Sequence, residues 1–215
     1  MISVKDQELL LANIARRLKK RITVYAIGGT AMMFLGVKDA TLDIDLVFGN
    51  KEERAIFKEA AEDIGYRKID SVQVYGTKRN QPEMLKLKDE RFDLFLDEVI
   101  HFIFSKEMKR RTEITLDFED KLIVKVANHN DIILMKCATD RQKDKDDVRR
   151  IMELKGVDWD LIIEEARNQF KLGKESAFFE LGCFLEHLKY KMKLDIPKEK
   201  LNLLFKLVKK QIDKK

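Results

Sequence analysis

Residues 22–48, ITVYAIGGTAMMFLGVKDATLDIDLVF, restrict the fold more than any other stretch of the chain. ITVYAI is a β-branched run suited to a buried strand, Gly28-Gly29 ends it, residues 30–35 read as a short helix, and LDIDLVF reads as a second strand. Residues two apart on a strand point to one face, so Asp43 and Asp45 project together while Ile44 and Leu46 enter the core. Two carboxylates side by side repel unless a cation lies between them or one is protonated. Magnesium answers that need economically, because it keeps several waters and takes one or two protein carboxylates along with substrate phosphates. Glycines between a strand and a helix let backbone N–H groups approach an anion, which makes Gly28 and Gly29 a candidate phosphate seat. The stretch is not a Walker loop, since no Gly-Lys-Ser/Thr follows, and not a dinucleotide fingerprint, since the third glycine is missing. Taken singly, the glycines also read as a plain turn and the aspartates as the solvated face of an edge strand.

Around this stretch the pattern divides in two. DQELLLANIARRLKK spaces Leu10, Ile14 and Leu18 as an amphipathic helix, and Asn50 is placed to cap KEERAIFKEAAEDIG. YRKID, VQVYG, RFDLFLDEV, EITLDF and KLIVKVAN then read as strands or strand-like pieces. From Asp131 onward the period is helical: DIILMKCATD, DKDDVRRIMELKG, DWDLIIEEARNQF, ESAFFELGCFLEHLKYKM and KEKLNLLFKLVKKQI. The expected architecture is α+β, a mixed β-sheet with flanking helices over residues 1–126 and a helical bundle over 127–215. Trp159, Phe178, Phe179 and Phe184 fall at helical spacing and are expected in the bundle core.

Charged residues make up 38% of the chain against roughly 25% for ordinary soluble domains. That excess fits a heat-adapted protein with surface ion-pair networks, and equally a solvated, helix-rich surface. The net charge is +5, and lysine is concentrated in residues 189–215, either a face for phosphates or a lysine-coated amphipathic helix. Cys137 and Cys183 lie in apolar helical patterns and are expected as buried free thiols of a reducing compartment. No apolar run suits a signal peptide or a bilayer span, so a soluble cytoplasmic protein without a membrane partner is expected. His101, His129 and His187 lack ligand spacing, and no zinc site is expected.

The order strand, Gly28-Gly29-Thr30, short helix, Asp43-x-Asp45 strand resembles the signature of the nucleotidyltransferase superfamily related to DNA polymerase beta. The resemblance covers the first fifty residues. It implies a nucleotidyltransferase-type sheet, with Gly28, Gly29 and Thr30 holding nucleotide phosphates and Asp43 and Asp45 binding Mg2+ or Mn2+. It also implies a third carboxylate on a neighbouring strand, completing a two-metal site and helping to activate an acceptor hydroxyl. RFDLFLDEV supplies Asp93 between apolar Phe92 and Leu94; Asp97 is the rival by period two, and a purely structural Asp93 paired with Arg91 or a lysine is the plainer alternative.

DIILMKCATDRQKDKDDVRRI resembles the corresponding segment of AbiEii-type toxin nucleotidyltransferases, with Asp131, Lys136, Arg141, Lys143, Asp144 and Asp147 at the matching positions. That likeness implies that Lys136 and Arg141 meet the triphosphate, whereas by its residues alone Lys136 could snorkel to water. Asp144 and Asp147 either orient these cations or cap the next helix. The implied activity is transfer of a nucleoside monophosphate from an NTP to an RNA or tRNA 3′ end or a protein hydroxyl, with a cognate antitoxin as partner. A small-molecule, antibiotic-type adenylyltransferase and a catalytically silent nucleotide- or RNA-binding module are the alternatives.

Overall fold

The structure, a computed structural model, describes residues 1–76, 79–139 and 141–213. A capping box opens the chain: the Ser3 side chain accepts from the Asp6 N–H while Asp6 reaches back to the Ser3 N–H. In chain order the elements are β1 (Ile2–Ser3), α1 (Val4–Ala15), β2 (Ile22–Ala26), α2 (Gly28–Phe34), β3 (Ala40–Thr41), β4 (Ile44–Phe48), α3 (Lys51–Asp63) and β5 (Arg67–Ile69). There follow α4 (Val72–Tyr75), β6 (Glu83–Leu87), β7 (Glu90–Leu96), β8 (Glu98–Val99), β9 (Phe102–Ile103), α5 (Lys106–Arg110), β10 (Ile114–Phe118) and β11 (Leu122–Val126). Five helices end the chain: α6 (His129–Lys136), α7 (Gln142–Leu154), α8 (Trp159–Lys171), α9 (Ala177–Tyr190) and α10 (Lys198–Ile212).

The chain divides into two compact units, Met1–Ile100 with Phe104–Asn128, and His101–Ile103 with His129–Lys215. The first is the α+β unit. Its strands run in the order β10-β11-β2-β4-β7-β6-β5, with β11 beside β2 and β4 beside β7 parallel and the other neighbours antiparallel. Phe48, Phe57, Phe92 and Tyr66 form an aromatic core with centroid separations of 4.9–5.4 Å, and each of the four is fully buried. Burial of each such ring contributes about 1.5–3 kcal/mol, which fixes α3 and the central strands against one another. The Asn50 side chain accepts from the Glu53 N–H and caps α3 as expected.

The segment VQVYG departs from its strand-like reading and forms the helical turn α4. Asp70 accepts the Val72 N–H at 2.9 Å, Ser71 O accepts from Val74 and Tyr75, and Gly76 closes the turn at φ +62. Val72 and Val74 are both exposed, so their alternation finds no sheet face to bury. Strand β6, by contrast, has no regular sequence pattern and is held by pairing on both sides.

The second unit is a bundle around α6, which is buried from Asn130 to Lys136, as a helix apolar on most of its circumference must be. Gln169 of α8 substitutes for a strand neighbour, accepting from the Ile103 N–H at 2.9 Å and donating to Ile103 O at 2.7 Å. Phe178 and Phe184 are buried there, but Phe179 is 57% exposed, because the apolar stripe of α9 is wider than the face it packs, and Trp159, the first residue of α8, is only half-buried. Cys137 is buried; Cys183 is exposed, contrary to expectation, and both are free. Among the described residues no helix is long and apolar enough to cross a membrane.

Candidate active site

The parallel register of β4 and β7 makes Asp45 and Asp93 direct Cα partners. Asp43 lies one residue ahead of β4, in a bend rather than in the strand expected over residues 42–48, because Thr41 has just paired with Ile2 in a separate ribbon and Leu42 turns outward. One carboxylate oxygen each of Asp43, Asp45 and Asp93 lies within 4.8 Å of the others. Asp97 lies elsewhere: it turns at φ +52 beyond β7 and pairs with Lys109 at 2.8 Å.

Helix α2 starts at Gly28, two residues earlier than expected, so both glycines belong to its first turn. Gly28 has φ +54, and a Cβ there would lie 2.7 Å from Asp45 Oδ2; a Cβ on Gly29 would lie 2.6 Å from Thr41 Oγ1. Bare backbone therefore faces the Asp45 carboxylate, and no side chain fits without displacing it. Thr30 is fully buried, and its Oγ1 accepts the Asp45 N–H at 2.8 Å, tying α2 to the strand that carries the acid.

Arg91 and Tyr75 complete the cluster. Arg91 Nε donates to Asp93 Oδ1 at 2.8 Å, its Nη2 donates to Asp93 Oδ2 at 3.1 Å, and the same Nη2 contacts Asp43 Oδ2. Tyr75 Oη donates to Asp93 Oδ2 at 2.6 Å. Burial pushes the Asp93 carboxyl above its ordinary range, against the opposing pull of Arg91 and Tyr75. Burial also raises the Tyr75 phenol, reinforced by Asp45 and Asp93. For Arg91 burial disfavours the charge, but Asp93 and Asp43 outweigh it and its pKa is raised. With the acids ionised, Asp43 and Asp93 share the Arg91 guanidinium while Asp45 brings a third carboxylate to the same cluster. Three convergent carboxylate oxygens suit a hard divalent ion such as magnesium or manganese.

Arg91 was visible in the sequence as the partner of Asp93, since period two puts both on one face of β7. Tyr75 carried no signal, because it comes from the segment that read as a strand.

In the second unit Lys136 donates to Asp144 Oδ1 at 2.8 Å and to Asp147 Oδ2 at 2.7 Å, and Arg141 Nε donates to Asp144 Oδ2 at 2.7 Å. Thr139 Oγ1 also contacts Asp144 Oδ2. Burial works against both charges of the Lys136–Asp144 pair, yet the pairing prevails: the lysine is raised and the aspartate held well below the usual carboxylate range. The Arg141 side chain stays 60% exposed.

No curated protein matches the chain. Among solved structures it is similar to the crystal structure of ANT(2")-Ia in complex with adenylyl-2"-tobramycin, at 19% identity and a TM-score of 0.42 over 84% of this chain and 98% of that one. A likeness that loose carries no argument about fold or substrate. A family profile described as "Nucleotidyltransferase of unknown function (DUF6036)" matches residues 6–193, nearly the whole of the first unit and the second as far as the end of α9, and the chain belongs to this family of nucleotidyltransferases.

Proposed function

We propose that the protein transfers a nucleoside monophosphate from an NTP to the hydroxyl of a polyanionic acceptor, an RNA 3′ end such as that of tRNA, with Asp43, Asp45 and Asp93 holding magnesium or manganese. The observation that carries the reading is the convergence of these three carboxylates beside the bare backbone of Gly28 and Gly29. A bound divalent ion supplies neutralisation of the charge that builds on the transferring phosphate. The residues of the chain do the rest. Gly28 and Gly29 admit the polyphosphate close to the main chain, and Thr30 anchors the turn to Asp45. The new O–P bond forms at the α-phosphorus as the bond to pyrophosphate breaks, and Asp93 helps to draw off the proton of the acceptor hydroxyl once the Arg91 and Tyr75 contacts that bury it loosen. Arg141, whose side chain is 60% exposed, is proposed as a further group that offsets triphosphate charge, while buried Lys136 holds Asp144 and Asp147, the first of which orients Arg141.

For the acceptor, the support is the exposure of Lys191, Lys193, Lys198, Lys206, Lys209 and Lys210 along and before α10; Lys214 and Lys215 lie outside the described residues. Capping of tRNA ends would stop translation, which extends the proposal to a toxin restrained by a cognate antitoxin.

The test supplies each labelled NTP with magnesium to the protein and either total RNA or a cell lysate. The expected result is a labelled RNA band that Asp45→Ala abolishes. Label in a protein or a small molecule instead would replace the acceptor and leave the transfer. Absence of label from every pool, with nucleotide or RNA still bound, would make the chain a silent binding module.

A further inference from the structure

Arg91 holds two of the three acids at once, and its two contacts differ in kind. Towards Asp93 the grip is two-pronged, Nε to Oδ1 at 2.8 Å and Nη2 to Oδ2 at 3.1 Å, on a carboxylate with no exposed surface. Towards Asp43 a single nitrogen makes the contact, the same Nη2, at a carboxylate that keeps 18% of its side-chain surface in solvent. Bidentate, dry contacts of arginine are the stronger kind, so the Asp43 contact is the one that yields. Asp93 stays satisfied when it does, because Tyr75 Oη already donates to Oδ2 at 2.6 Å and Nε keeps Oδ1.

We propose that Arg91 is the resident counter-ion of the carboxylate cluster and competes with the divalent cation for Asp43, so that metal binds only as the Arg91–Asp43 contact opens. This rests on the metal-site reading given above. The physical ground is the charge balance: three acids whose oxygens lie within 4.8 Å of one another need a cation to stay together. Arg91 provides it within the chain and keeps Asp43 drawn toward Asp93. A divalent ion brings twice the charge and ligates carboxylate oxygen directly, and the oxygen it gains on Asp43 is one that the guanidinium gives up. Arg91 thus keeps the acids gathered while weakening metal affinity by the worth of one charge-assisted hydrogen bond.

The experiment measures Mn2+ binding to the purified full-length chain by the loss of the free-ion paramagnetic resonance signal, in wild type, Arg91→Gln and Asp45→Asn. Arg91→Gln should bind Mn2+ about tenfold more tightly than wild type, the usual size of one hydrogen bond to a charged group. In parallel, the nitrogen-labelled side-chain resonance of Arg91, assigned by its disappearance in Arg91→Gln, should shift on saturation of the wild type with Mg2+. Equal or weaker Mn2+ binding by folded Arg91→Gln overturns the proposal. If that variant does not fold, the arginine resonances decide: with none of them moving on Mg2+ saturation, Arg91 does not compete. Equal, negligible Mn2+ binding by wild type and Asp45→Asn would instead remove the metal site itself, and the proposal with it.

Discussion

Asp93 on β7 and Asp144 on α7 are both buried carboxylates, each with a basic side chain at 2.8 Å, yet Asp93 is pushed above the ordinary range and Asp144 falls well below it. The difference lies in how the cations are shared. Asp144 receives Lys136, Arg141 and Thr139, and Lys136 also donates to Asp147. Asp93 shares a single guanidinium with Asp43 and has Asp45 directly across the strand pair. The lysine cluster ties α6 to α7, whereas three carboxylates converging beside one guanidinium suit a cation from outside. Substitutions should therefore cost stability in one cluster and function in the other.

The largest effect is expected at Asp45. Asp45→Asn should lower transfer by at least about a thousandfold, the scale of removing a group that stabilises transition-state charge. Its melting temperature should stay near the wild-type value, because the backbone bond from Asp45 N to Thr30 survives. Lys136→Met is the mirror image: with two buried carboxylates losing their shared cation, urea denaturation should show a loss of about 3–5 kcal/mol. Arg141→Ala separates stability from ligand binding in that cluster, since the side chain is largely exposed. Weaker NTP binding by a folded Arg141→Ala supports a triphosphate contact, and unchanged binding confines Arg141 to its pairing with Asp144.

Both clusters were partly legible before the fold was known. ITVYAI, the glycine pair and the late helices could be read because hydrophobic period is a local property, and Asn50 could be read as a cap from its place before KEER. Asp93 could be named as the third acid from the family resemblance, but the register that sets it directly opposite Asp45 could not, because it joins two strands nearly fifty residues apart and only the assembled sheet sets it. VQVYG misled because valine alternation was weighed above the Asp70 and Gly76 signals that bracket the turn, and Tyr75 was lost with it. Lys136 was more legible: its apolar neighbours mark an unusual lysine, and of the two readings open for Asp144 and Asp147, orienting a cation or capping the next helix, the contacts with Lys136 are the first.

A smaller, backbone-level effect is expected at Gly28. Gly28→Ala adds a Cβ at φ +54 against Asp45 Oδ2, so it combines a strain of about 1–2 kcal/mol with displacement of a carboxylate. Mn2+ affinity should fall together with transfer. Gly36→Ala is the control, since Gly36 shares the positive φ, +71, but a Cβ there meets nothing within 4 Å. If both variants lose only stability and metal binding is kept, the close approach of Gly28 to Asp45 has no part in the site.

The finest distinction is in pH, measured on metal-free protein in chelator. Asp144 has a folded pKa below its unfolded value near 3.8, so its contribution is present above that pH and is lost as the pH falls from there through the folded pKa. Asp93 has the opposite sign: its folded pKa lies above 3.8, so ionising it costs stability, and acidification from neutrality down toward 3.8 removes that cost. The two windows meet near pH 3.8 without overlapping. Comparing denaturation of wild type with Asp93→Asn and Asp144→Asn assigns each arm. The gain on mild acidification should vanish in Asp93→Asn alone, and the loss below pH 3.8 should be shallower in Asp144→Asn alone. Were both arms to vanish in the same variant, the two clusters would not be electrostatic opposites, and the reading of one as a site and the other as a brace would lose its basis.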